Sequence, residues 1–165
     1  MASVADGFCV DLGARLRVEW DLEAVRGLAR TGEGAGPLWH VSGDPEPAGI
    51  TLLRILAAGF EDGTAIGVAA IRPASAAGHG DEVTRAVLAR GEATPEQIAE
   101  TLLSTEYDPE GVVRRAGIEL YQTEASIPLR AAGDREPGDD GEPVSMRFRL
   151  DGVEGRGTYE LRRIG

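Results

Sequence analysis

The stretch VSMRFRLDGVEGRGTYELRRI, residues 144–164, decides the fold. Val144, Met146, Phe148 and Leu150 alternate with Ser145, Arg147, Arg149 and Asp151. Beyond Asp151-Gly152, Tyr159 and Leu161 resume the alternation against Glu160 and Arg162. A period of two gives one apolar and one polar face, and an Asp-Gly pair supplies the backbone angles of a tight turn. The stretch predicts a half-buried antiparallel hairpin, and most of the remaining chain reads as further strands of the same sheet.

Residues 1–7 read as a disordered tail. From Phe8 the chain alternates, with Leu16, Val18, Trp20 and Leu22 on one face and Arg15, Arg17, Glu19 and Asp21 on the other, a strand with a wet side. Leu38-Trp39-His40-Val41 is a short apolar piece between Gly/Pro-rich segments. Residues 50–60 and 64–71 flank Glu61-Asp62-Gly63, a second Asp-Gly hairpin signal, and both arms are apolar on both faces. Strands covered on both sides belong inside a sandwich or in a barrel wall. Residues 83–89 suit a short strand. Thr94-Pro95-Glu96-Gln97 reads as a helix start, with Thr as cap and Pro in the first turn, running to about Glu100. Asp108-Pro109-Glu110-Gly111 is a type I turn joining a strand at 102–107 to the longest strand candidate, 112–129. A polar loop then leads into the C-terminal hairpin. The expectation is a single all-β domain over 1–165, an antiparallel lipocalin-like barrel of about eight strands with one short helix.

The net charge is −11, and an acidic surface repels phosphate backbones, so nucleic-acid and anionic-membrane partners are not expected. All 17 basic residues are arginine, and asparagine is absent, which suits a GC-rich coding sequence and a bacterial source. The lone Cys9 excludes an intrachain disulfide and reads as a buried structural thiol. No signal-peptide pattern precedes Phe8 and no apolar run spans a bilayer, so a cytoplasmic location is expected. His40 and His79 lack zinc-ligand spacing, so neither metal nor cofactor is expected. The Gly-rich pieces at 32–36 and 152–157 are not phosphate loops, since no helix follows either.

Three side chains are candidates for chemistry: His40 as an acid or base, and Tyr121 and Glu124 on opposite faces of the long strand. A carboxyl on a barrel-lining face, Glu119 or Glu124, would have its pKa raised by burial. Trp20, Trp39, Leu52 and Val68 are the candidate ligand-binding walls. Neighbours on a strand point to opposite faces, so Trp39 and His40 cannot both face one cavity.

Residues 88–165 resemble the C-terminal part of the lipocalin-like hydroxyneurosporene synthase (carotenoid hydratase) group. The likeness rests on ARGE at 89–92, TEYDPEG at 105–111, RRAGIELY at 114–121 and FRLDGVEGRGTYE at 148–160. It implies a β-barrel able to enclose an apolar ligand. The functional expectation is a barrel that binds a small hydrophobic molecule, in its enzymatic form a cyclase or isomerase working by substrate preorganisation. A non-enzymatic binding or assembly module, homodimer included, and a hydratase-type acid–base enzyme are the alternatives.

Overall fold

A computed structural model describes residues 7–13, 16–31, 38–43, 49–76, 81–123, 126–139 and 142–164. Twelve strands and one helix follow in order: β1 (Cys9–Gly13), β2 (Leu16–Trp20), α1 (Leu22–Thr31), β3 (Trp39–Ser42), β4 (Ile50–Phe60), β5 (Ala65–Pro73), β6 (Val83–Ala89), β7 (Glu96–Gln97), β8 (Glu100–Tyr107), β9 (Val113–Tyr121), β10 (Leu129–Arg135), β11 (Val144–Leu150) and β12 (Val153–Arg163). The architecture is all-β and antiparallel. A nine-stranded sheet, ordered β7-β6-β5-β4-β12-β11-β10-β9-β8, curls into a half-barrel, and β1-β2-β3 form a second, three-stranded sheet.

The hairpin of residues 144–164 forms as its alternation predicts. Val144 pairs with Tyr159 and Leu150 with Val153. Asp151 (φ 47°) and Gly152 (φ 83°) take the two left-handed positions of the turn. The inward face of β11 carries Val144, Met146, Phe148 and Leu150, all buried. With Leu56, Phe60, Ile66, Leu88, Ile118, Leu120 and Tyr159 they fill the concave side of the sheet. Glycines on the neighbouring strands make room for these rings. A Cβ on Gly157 would stand 2.8 Å from the Phe148 ring, and one on Gly133 would overlap its edge.

The apolar-on-both-faces reading of the 50–71 hairpin also holds, and its cause is a second layer. The convex face of β4, β5 and β6 (Leu53, Ile55, Ala57, Ala69, Val87) packs against β1, β2 and α1 through Phe8, Val10, Leu16, Val18, Trp20, Val25 and Leu28. The Trp20 indole lies flush on Gly67, where a Cβ would stand 2.6 Å from the ring. Phe8 tilts against the same indole at 6.0 Å between centroids.

Several expectations are corrected. The helix among the described residues lies at 22–31, where the alternation predicts a strand reaching Leu22, and the Thr94 segment is extended. Asp21 explains the first change: its Oδ1 accepts from the Ala24 amide at 3.1 Å, an N-cap rather than a wet-face strand residue. Asp21→Ala should therefore cost about 1 kcal/mol in a urea-unfolding titration, and a cost near zero would argue against the cap. In the Thr94 segment Ile98 is the only large apolar residue, too little to give a helix a buried face. Pairing Glu96 and Gln97 with Leu88 and Val87 buries Ile98 instead. The long strand at 112–129 is two strands, β9 and β10, separated by a turn around Thr123 and Ser126, whose hydroxyl accepts from the Thr123 amide at 3.1 Å. β10 itself falls partly in the segment read as a polar loop. Its inward residues Ala131 and Gly133 are small because Phe148 occupies the space above Gly133. Apart from Gly7, the tail expected over residues 1–7 lies outside the described residues, as does His79.

Candidate functional site

β7 and β8 are consecutive pieces of one extended stretch that changes partner. At its start it is tied to β6, through Glu96, Gln97 and the Ile98 amide, which donates to the Ala86 carbonyl at 3.1 Å. From Glu100 onward it pairs with β9. β6 and β8 therefore diverge, joined at the Ile98 end and parted toward Glu82 and Thr105. Among the described residues no backbone hydrogen bond crosses this seam.

A cleft of about 890 Å³ opens there. Its seam wall is formed by Arg54, Glu82 and Thr84 on one side and Ala99, Thr101 and Leu103 on the other. It continues over edge strand β8 onto the outer face of the sheet, where Ser104, Gly117 and Ala132 make a floor of small side chains. Leu102, nearly half exposed, Glu119 and Arg130 rim that outer part. Gly117 is needed for this shape, since a Cβ there would stand 2.7 Å from the Ser104 hydroxyl.

The inner end of the seam holds buried charge. Arg54 lies on the concave face of β4, two residues before Leu56, and its side chain is only 4% exposed; that of Glu82 is 3%. Arg54 Nη2 donates to Glu82 Oε2, and its Nη1 to Thr105 Oγ1 at 3.4 Å. Arg72 donates to the other carboxylate oxygen of Glu82 from Nε at 3.0 Å and from Nη2 at 2.6 Å. Burial alone would push the Glu82 carboxyl up, but the Arg54 charge and the hydrogen bonds from Arg72 and Arg54 outweigh it and hold the group below the usual glutamate range. Tyr159 closes the cluster. Burial pushes its phenol well up, so it stays neutral, and its hydroxyl meets that of Tyr107 at 3.3 Å.

The residues singled out from sequence do not converge on this cleft. His40 is exposed on β3, opposite Glu19 in the small sheet, and Trp39 beside it packs half-buried against the outer layer. Trp20 is a core residue of that layer, whereas Val68 lies on the opposite, concave side of β5. Leu52 is buried on β4 between Arg72 and Arg163 in the pairing. Tyr121 lies on the outer face of β9 and donates to Glu119 at 3.0 Å, a bond that raises its pKa by favouring the neutral phenol. Glu119 also accepts from Arg130 at 3.2 Å. Glu124 lies outside the described residues.

Sequence reasoning passed over Arg54 and Glu82. The signal was there: Arg54 is the single charge in ITLLRILAAGF, a run read as covered on both faces, and a buried charge requires a partner. Among the described residues no three His, Cys, Asp or Glu side chains are grouped to hold a metal ion, and no helix is long and apolar enough to cross a membrane. No protein-family model matches the chain, and neither a curated protein nor a solved structure is significantly similar to it, so the architecture and the cleft are what its function must be argued from.

Proposed function

We propose that this chain binds a small, elongated, mainly apolar molecule in the cleft between β6 and β8. The observation that carries the reading is the cleft that begins at the seam and continues over β8: about 890 Å³ in all, a size that suits a small-molecule ligand, along an edge strand that presents Leu102 on one face and Leu103 on the other. The half-barrel interior is a different matter, because Phe60, Phe148 and Tyr159 fill it. The ligand is therefore gripped at the seam rather than swallowed by the barrel. If the bound molecule reacts, the geometry favours cyclisation or isomerisation by holding a flexible chain in one conformation. A hydratase-type mechanism needs a carboxylic acid that is neutral near pH 7, and the buried carboxyl here, Glu82, is held ionised by two arginines.

The test is a fluorescence titration with N-phenyl-1-naphthylamine, a neutral apolar probe. Wild-type protein should bind it saturably at one site. Thr84→Trp, placed on the seam wall, and Ala99→Trp, placed at its closed end, should each weaken binding at least tenfold while keeping the native unfolding transition. Unsaturable uptake, or equal binding by both folded variants, would sink the reading.

A further inference from the structure

Five buried side-chain polar atoms among the described residues have no hydrogen-bond partner, and two belong to residues of the seam wall: Arg54 Nε and Thr101 Oγ1. Both residues are more than nine-tenths buried, at 3% and 6% exposure. The Tyr159 hydroxyl approaches the Arg54 guanidinium, yet Nε itself makes no hydrogen bond. A buried donor without an acceptor is costly, so two of them on one cleft wall describe what the cleft is built to receive.

Resting on the binding role proposed above, we infer that the ligand is a neutral molecule carrying two oxygen functions, one received by Arg54 Nε and the other by Thr101 Oγ1, with an apolar middle lying along Leu103. The chemistry of the two atoms sets the class. Nε can only donate, and Thr101 can donate as well, so both suit a carbonyl oxygen. The Arg54 charge is already countered by Glu82, whose carboxylate would face that of an anionic ligand. Spacing sets the length. Thr105, which holds Arg54, and Thr101 share the inward face of β8 four residues apart, about 13 Å along a strand. Both atoms are shielded from water, so entry must part β6 from β8. The Ile98–Ala86 bond and the β6–β7 pairs hold the closed end, and beyond them no backbone hydrogen bond among the described residues resists that opening.

Three probes of one shape test this by displacement of N-phenyl-1-naphthylamine: 2,6-diacetylnaphthalene, 2,6-diethylnaphthalene and naphthalene-2,6-dicarboxylate. The diketone should bind at least about tenfold more tightly than the diethyl compound, as a hydrogen bond to an otherwise unpaired buried donor implies, and the dicarboxylate should bind most weakly. Thr101→Val keeps the side-chain shape and removes the hydroxyl. It should fold with undiminished stability, leave the diethyl compound's affinity unchanged and cut the diketone's about tenfold. Equal affinities for diketone and diethyl compound, a preference for the dicarboxylate, or an unaltered diketone affinity in Thr101→Val would each overturn the inference while leaving the binding role intact. Failure of every probe, the naphthylamine included, would overturn both.

Discussion

Gly59→Ala should lower the free energy of unfolding by about 3 kcal/mol, a large loss for the addition of one methyl group. Gly59 lies on the convex face of β4 directly beneath α1. A Cβ there would overlap the Val25 carbonyl oxygen, reach its carbon at 3.0 Å and come within 3.2 Å of Arg26 Cα. These are main-chain atoms of a helix and cannot turn aside as a side chain can. The helix must lift, and with it Val25 and Leu28, which are 0% and 2% exposed in the layer between helix and sheet. Gly27, within the same helix, has nothing within 4 Å of its missing Cβ. Gly27→Ala should therefore act in the opposite direction, stabilising by about 0.5–1 kcal/mol through helix propensity. Urea-unfolding curves of the two variants check both signs. A Gly59→Ala loss below about 1 kcal/mol would mean that α1 does not sit where it is described.

The second large effect belongs to the buried pair. Glu82→Leu leaves the Arg54 guanidinium, at 4% side-chain exposure, without its countercharge and should cost about 3–5 kcal/mol. Arg54→Met alone should cost a similar amount, because Glu82 loses its buried countercharge and the arginine it keeps, Arg72, has a side chain 30% exposed. The double variant Arg54→Met/Glu82→Leu should be milder than either single change, since an apolar pair carries no desolvation penalty. Additive losses in this double-mutant cycle would contradict a coupled ion pair. The pH dependence follows from the lowered Glu82 pKa. The unfolded chain takes up a proton near the ordinary value of 4.5 and the folded chain only below it. The stabilisation is thus complete above that value and is lost as pH falls through the lower folded one. Stability of the wild type should decline below about pH 4.5 more steeply than that of the double variant.

What could be read from the sequence was what local chemistry specifies. Asp151-Gly152 and Asp62-Gly63 each force a reversal, and alternation on either side fixes which face is buried, so both hairpins were legible residue by residue. The doubly apolar β4–β5 hairpin correctly announced a cover on its convex side, although not what would supply it. β10 was hidden because its packing comes from a neighbour: Ala131 and Gly133 lack large side chains, and Phe148 on β11 fills the space. α1 was hidden because Asp21 continues the preceding polar alternation while serving as a helix cap. The cleft was illegible for a different reason. It arises where β7–β8 changes partner from β6 to β9, its neighbours on either side in the chain, and no period or turn signal marks the residue at which the partner changes. Trp20 and Trp39 are large rings of the kind more often used to fill a core than to wall a pocket, and both lie in or against the outer layer.

The most direct test of the account is amide chemical-shift mapping during a titration with N-phenyl-1-naphthylamine. The account predicts that the largest, saturable shifts fall on Thr84, Thr101, Leu103 and Ile118, on both sides of the seam, with Val18, Trp20 and Trp39 unmoved. Largest shifts around Trp20, Trp39 and His40, with Thr84 and Thr101 unchanged, would contradict it.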